Sequence, residues 1–102
     1  MKLDTLKKRL KGFGRVRNMQ SPSYSGGDVP NQFIIEFDNG KVFQSYDTII
    51  AVEIQQPDKR TTYLTKAWDY STTTGKYRNV FLNEKKAETE KKIKNGEYKL
   101  VD

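Results

Sequence analysis

Apolar positions recur with two different periods along the chain. Leu3, Leu6, Leu10 and Phe13 fall at i, i+3, i+7 and i+10, one stripe of a helix, while Lys7, Lys8, Arg9 and Lys11 lie mostly off it. Gly12 and Gly14 make further helix costly. The pattern therefore predicts a short amphipathic helix over residues 4–11, marginal by itself at about two turns. From residue 32 the period drops to two. In QFIIEFDNGKVFQSY, Phe33, Ile35 and Phe37 alternate, Asp38-Asn39-Gly40 turns, and Val42-Phe43 resumes. Asn-Gly supplies the positive φ of a type I′ turn, so this run predicts a β-hairpin. IIAVEIQ follows with Ile50, Val52 and Ile54 on one face and Ile49, Ala51 and Glu53 on the other. TTYLT over residues 61–65 is a fourth β-rich run.

After Ser71 the period returns to that of a helix. Tyr77, Val80 and Phe81 share a face, predicting a helix over residues 73–82. Asn83 is placed to cap a second helix, EKKAETEKKIKN, with Gly96 as its stop. That helix offers only Ala87 and Ile93 as apolar contacts, with acids leading and Lys91, Lys92 and Lys94 trailing, in accord with the macrodipole. It reads as a solvated surface helix, and EYKLVD adds a short edge strand. Between the first helix and the hairpin, NMQSPSYSGGDVPN (residues 18–31) reads as a long loop on its prolines, glycines and serines.

The fold class expected is α+β in a single domain, residues 1–102. A small antiparallel sheet of three to four strands, a meander around the Asp-Asn-Gly hairpin, carries N-terminal and C-terminal helices packed mainly on one face. The segments are a basic amphipathic helix or arm (1–17), the long loop (18–31), and the sheet with two C-terminal helices (32–102). The expected core is Leu6, Leu10, Phe33, Ile35, Phe37, Ile50, Val52, Ile54, Tyr77, Val80 and Phe81. Ile34, Phe43 and Ile49 fall out of phase with it and would form an apolar partner patch if the second face were bare.

Charge changes this picture most. The net charge is +6, from 19 Lys and Arg against 13 Asp and Glu. Lys2, Lys7, Lys8, Arg9, Lys11, Arg15 and Arg17 face only Asp4 in residues 1–17, so the remainder of the chain is balanced. A basic segment on a neutral body suits phosphates or an acidic protein surface, or simply a solvated helix face. The chain has no cysteine and no histidine. Disulfides, thiolate chemistry, and the commonest general base and metal ligand are all excluded. No uncharged apolar run approaches the roughly 18 residues of a bilayer span, and no secretory signal is visible. The expectation is a cytoplasmic protein with no membrane partner, no cofactor and no bound metal.

Two runs resemble a known family. QSYDTIIAV (residues 44–52) and WDYSTTTGKYRNVFL (68–82), with KKIKNGEYKLVD at the end, are similar to small uncharacterised proteins commonly encoded in phages and related mobile elements of bacteria. The resemblance spans about residues 44–102. It implies an origin and a small α+β module, and a cytoplasmic location in a bacterial host, rather than an activity.

The second run also holds candidate chemistry. Ser71, Thr72 and Thr73 precede a helix, and with Lys76 and Arg78 they make a weaker anion or partner site. Against that, Ser and Thr are ordinary N-caps, and the spacing is not a Walker loop. Trp68, Tyr70 and Tyr77 can stack on bases or close the end of the core. Asp38, Asp47 and Asp69 lack a metal-site spacing, and Ser45, Tyr46 and Ser71 lack an activating neighbour. No enzyme is expected.

Two functions remain from this reading. One is a nucleic-acid-binding accessory protein using Lys7, Lys8, Arg9, Lys11, Arg15 and Arg17. The other is a protein–protein inhibitor of a host or defence enzyme, anti-CRISPR-like or otherwise anti-defence, using residues 18–31 and a free sheet edge, as monomer or edge-paired homodimer.

Overall fold

The computed structural model describes residues 1–21 and 26–102. It is an α+β fold in the order α1 (Leu3–Lys7), β1 (Arg15–Gln20), β2 (Asp28–Phe37), β3 (Gly40–Ser45), β4 (Thr48–Gln55), β5 (Arg60–Thr65), α2 (Thr72–Leu82), α3 (Lys86–Lys94) and β6 (Tyr98–Val101). The strands form one six-stranded sheet in sequence order, antiparallel except where β6 runs parallel to β5 after the α2–α3 crossover. The three- to four-stranded meander is thus the centre of a larger sheet. Its edges are β1, expected as arm and loop, and β6.

β1 corrects the boundaries of the N-terminal half. Arg15 to Asn18 pair with Glu36 to Phe33, and Gln20 with Asp28. Of the expected loop over 18–31, residues 18–20 lie in β1 and 28–31 in β2, and residues 22–25 lie outside the described residues. The first helix also ends early, at Lys7, because the chain turns through Arg9 N–H to Leu6 C=O (3.0 Å) and Leu10 N–H to Lys7 C=O (3.2 Å).

Both faces of the sheet are covered, not mainly one. On the first face, Ile34, Phe43, Ile50, Ala51 and Leu64 pack with Tyr77 and Phe81 of α2 and with Met19. The Phe43 and Phe81 rings stack with centroids 5.8 Å apart. On the second face, Leu6 of α1 sits on Val42, Val52, Ile54, Tyr63 and Val101. Leu6 is fully buried, a placement that contributes about 1.5–3 kcal/mol.

Ile34 and Phe43 are therefore core rather than patch, and Ile49 is half-buried. Val80 is 44% exposed and outside the core; Leu10, Phe33, Ile35 and Phe37 are half-buried. A β-bulge explains the mixed phase. Phe43 pairs with Ala51 and Gln44 with Ile49, which leaves Ile50 unpaired. Ile50 and Ala51 consequently join the same core, and the expected face of Ile50, Val52 and Ile54 is split.

The Asp38-Asn39-Gly40 hairpin forms, with Phe37 paired to Gly40. It is not a type I′ turn, because Asp38, Asn39 and Gly40 all have negative φ. Gly40 is needed for space: a Cβ there would stand 2.2 Å from the Glu53 carbonyl oxygen on β4. Asn83 likewise changes role. It is the left-handed C-cap of α2 (φ 56°, ψ 48°), and α3 begins after Lys85 without a side-chain cap. Gly96, with φ of +85°, follows α3 as expected.

Candidate nucleic-acid interface

The basic N-terminal segment is docked along its length. Leu3 N–H donates to Asp102 C=O (2.8 Å), tying the segment to the end of β6. Leu6 is buried. Arg9 Nη1 donates to Tyr63 Oη (2.9 Å), with the guanidinium 5.8 Å from the ring centroid. The hairpin tip then grips the chain. Asn39 Nδ2 donates to Arg9 C=O (2.8 Å), Lys11 N–H donates to Asn39 Oδ1 (2.8 Å), and Asp38 N–H donates to Lys11 C=O (2.9 Å). The turn read from Asp-Asn-Gly thus also serves as the clamp for residues 9–11.

Docking divides the six predicted cations. Arg9 is half-buried against Tyr63. Arg17 Nε lies 3.0 Å from Glu36 Oε1. Lys7, Lys8, Lys11 and Arg15 are exposed and form no ion pair among the described residues. They do not share one flat patch. Register places Arg15 opposite Glu36 and Arg17 opposite Ile34, on the face that α2 covers. Lys7 borders a hollow on the other face, with Leu10, Ile35, Phe37, Val42, Gln44 and Ile49. The cations wrap the corner of the sheet where the chain passes from α1 to β1.

Phe13 stands at that corner and is 95% exposed. Its spacing continues the apolar stripe of Leu3, Leu6 and Leu10, but the helix stops six residues earlier. The glycines on either side explain its position. Gly12 has φ of +87°, and a Cβ there would lie 2.5–2.7 Å from the Asp38 carboxylate. A Cβ on Gly14 would lie 2.8 Å from Ile35 Cγ2. The backbone can hug the sheet at these two points only without side chains, and the residue between them is turned outward. The signal was present in the sequence as KGFGR, an aromatic between two glycines and two cations.

The second predicted set meets elsewhere. Ser71 caps α2: its Oγ accepts from Thr74 N–H (3.1 Å). Ser71 Oγ also donates to Thr74 Oγ1 (3.1 Å), and Thr74 Oγ1 lies 3.0 Å from Ser45 Oγ. The two runs that carry the family resemblance are thus joined by a hydroxyl chain that docks α2 on β3. They line a common hollow of about 340 Å³, comprising Ser45 to Thr48 with Tyr70, Ser71 and Thr73. Tyr46 is exposed there with φ of +56°.

Thr72, Thr73 and Lys76 are exposed. Arg78 is 1% exposed: Nη1 donates to Trp68 C=O (2.7 Å) and Nη2 to Asn79 Oδ1 (3.0 Å), and the guanidinium lies 5.2 Å from the Trp68 ring centroid. Asp69 lies 3.4 Å from Arg78 Nη1 and 2.7 Å from Lys86 Nζ; the Lys86 hydrogen bond above all holds its carboxyl below the usual range. Tyr77 is core, Trp68 is half-buried and Tyr70 is exposed.

A further polar cluster was not foreseen. The Glu84 carboxylate accepts from Thr89 Oγ1 (2.6 Å), Lys92 Nζ (2.7 Å) and Tyr98 Oη (2.8 Å), joining α3 to β6. Burial pushes the Glu84 pKa up, but the three hydrogen bonds outweigh it and leave the carboxyl below its ordinary value. Burial, then the hydrogen bond to Glu84 and its charge, pushes the Tyr98 phenol up to about 12. Among the described residues no group of three or more carboxylates is placed to hold a metal ion, and no helix is long and apolar enough to cross a membrane.

The fold and its surface define a small α+β module with a hydroxyl-linked sheet–helix junction and a docked basic corner. The chain belongs to a family of unknown function, DUF8033, whose family model matches residues 17–97. The match extends upstream of the two motif runs to include β1 from Arg17, β2 and most of β3, and it leaves Lys7, Lys8, Lys11 and Arg15 outside. No curated protein and no solved structure matches the chain.

Proposed function

We propose that this protein is a non-enzymatic accessory factor that binds nucleic acid through its basic N-terminal corner. The observation that carries the reading is the placement of charge. All the net charge lies in residues 1–17, that segment is fastened to the sheet, and Lys7, Lys8, Lys11 and Arg15 remain exposed. Cations fixed on a scaffold meet a phosphate backbone with less ordering entropy to lose than cations on a free arm. Arg9 and Arg17 frame the corner through Tyr63 and Glu36. The contacts are charge-driven, so affinity falls with salt. The setting proposed is a bacterial cytoplasm, in keeping with the resemblance to phage and mobile-element proteins.

The test is titration of labelled oligonucleotides at two salt concentrations. If all four free cations meet phosphates, affinity for a single strand falls roughly 50-fold between 50 and 200 mM salt, and each Lys→Gln or Arg→Gln change lowers the slope by about 0.7. Unchanged slopes in the neutralised variants would sink the reading.

Inhibition of a host or defence enzyme is the second reading. It is favoured by the outer edge of β1, which pairs only with β2 among the described residues, and by Val16, 63% exposed on that edge. Stoichiometric capture of one host enzyme, lost on Val16→Lys and insensitive to the four neutralisations, would favour it over nucleic-acid binding.

A further inference from the structure

We infer that Phe13 is a base-stacking finger, and that the nucleic acid held at this corner is single-stranded. The inference rests on the nucleic-acid reading above and adds to it the class of strand and the residue that selects it.

Three observations carry it. First, Phe13 is 95% exposed although its backbone is tightly held. The clamp of Asn39 and Asp38 fixes residues 9 and 11, and the Gly12 and Gly14 backbones lie against Asp38, Ile35 and Phe37. A fully solvated benzyl group on a fastened loop contributes nothing to the core, and its presentation is already organised for a contact. Second, Lys11 and Arg15 flank it two residues away on either side, at most about 7 Å along the chain. A ring between two cations is the arrangement that stacks on a base while the adjoining phosphates are neutralised.

Third, the cations lie around a corner. Lys7 borders the second face and the register puts Arg15 on the first, with Phe13 between them along the chain. A duplex has a persistence length of about 50 nm and presents base edges rather than base faces. A single strand bends around the corner freely and offers an unstacked face at each nucleotide.

The experiment compares a labelled 20-nucleotide single strand with the matching duplex by fluorescence anisotropy at 50 and 200 mM salt. The proteins are wild type, Phe13→Ala and Phe13→Trp. Because Phe13 is solvated, both variants should melt as wild type does. Phe13→Ala is expected to bind the single strand about five- to a hundred-fold more weakly. Its salt slope and its duplex affinity should be unchanged, and Phe13→Trp should restore single-strand binding. Equal weakening for both substrates, no weakening for either, or wild-type duplex affinity matching that for the single strand overturns the inference while leaving the basic corner intact. Absence of wild-type binding to either substrate at 50 mM salt overturns the nucleic-acid reading itself. Phe13-dependent binding to vesicles of phosphatidylserine and phosphatidylcholine, without strand preference, also overturns the inference, because it identifies a membrane surface as the occupant.

Discussion

Gly40→Ala separates two reasons for a glycine in the hairpin. Gly40 has negative φ, so a methyl group meets no backbone conformational penalty there. Its difficulty is contact: the added Cβ would stand 2.2 Å from the Glu53 carbonyl oxygen and 3.2 Å from Leu10 Cδ2. Reaching ordinary contact at 3.4 Å requires the two strands to part by about 1.2 Å at the Gly40–Ile54 pair. That movement strains the hydrogen bond from Gln55 N–H to Asn39 C=O (2.7 Å) beside it. Overpacking costs about 1–3 kcal/mol and a weakened hydrogen bond about 1 kcal/mol. The stiffer unfolded chain returns about 0.4–1 kcal/mol. A net loss of about 2 kcal/mol is expected, which lowers Tm by roughly 8–16 °C in a domain of this size.

Urea and thermal unfolding followed by circular dichroism measure it. Gly27→Ala, where an added Cβ meets no atom of the described residues within 4 Å, is the control and should be neutral. Gly40→Asn discriminates further: a type I′ turn tolerates Asn, whereas the contact with Glu53 rejects it as strongly as Ala. Wild-type stability in Gly40→Ala, or stability in Gly40→Asn alone, would refute the close-approach argument.

Glu84→Gln should destabilise at neutral pH by about 2–4 kcal/mol, since three donors lose their charged acceptor. The folded-state pKa of Glu84 is depressed, so its contribution is present above the ordinary value of 4.5 and fades as pH falls through the folded pKa. The wild-type advantage in Tm should therefore shrink between pH 6 and pH 3; a constant gap would contradict it. Tyr98 is raised from 10.0 to about 12, so stability it contributes fades as pH rises across that window, and Tyr98→Phe should flatten the alkaline limb of a Tm-versus-pH profile. Ser71→Ala should cost about 1 kcal/mol as a lost cap, and Ser71→Ala with Ser45→Ala should deviate from additivity by about 0.5 kcal/mol or more, because both hydroxyls meet Thr74. Arg78→Met should be less destabilising than Arg78→Ala by denaturant unfolding, since Nε of the buried guanidinium has no hydrogen-bond partner among the described residues, whereas truncation leaves a cavity beside Trp68.

The sequence by itself determined the elements whose signals are local. Alternation over Phe33, Ile35 and Phe37 with a turn residue cluster marks the hairpin, Ser71 marks the start of α2, and Gly96 marks the end of α3, because pleat period, capping and positive φ act within a few residues. The asymmetry of charge was equally legible, being a count along the chain. Tertiary structure decided what depends on distant partners. RVRNMQ reads as arm and loop until β2 supplies its ladder. Ile50 changes face because a bulge against β3 shifts the phase, and Gly40 is small because β4 passes beside it. The hairpin tip fastens residues 9–11, and the two glycines that let the backbone lie on the sheet leave Phe13 in solvent rather than in the core. Periodicity reports which residues would share a face if an element continued; only the packed neighbours determine where it stops and what covers it.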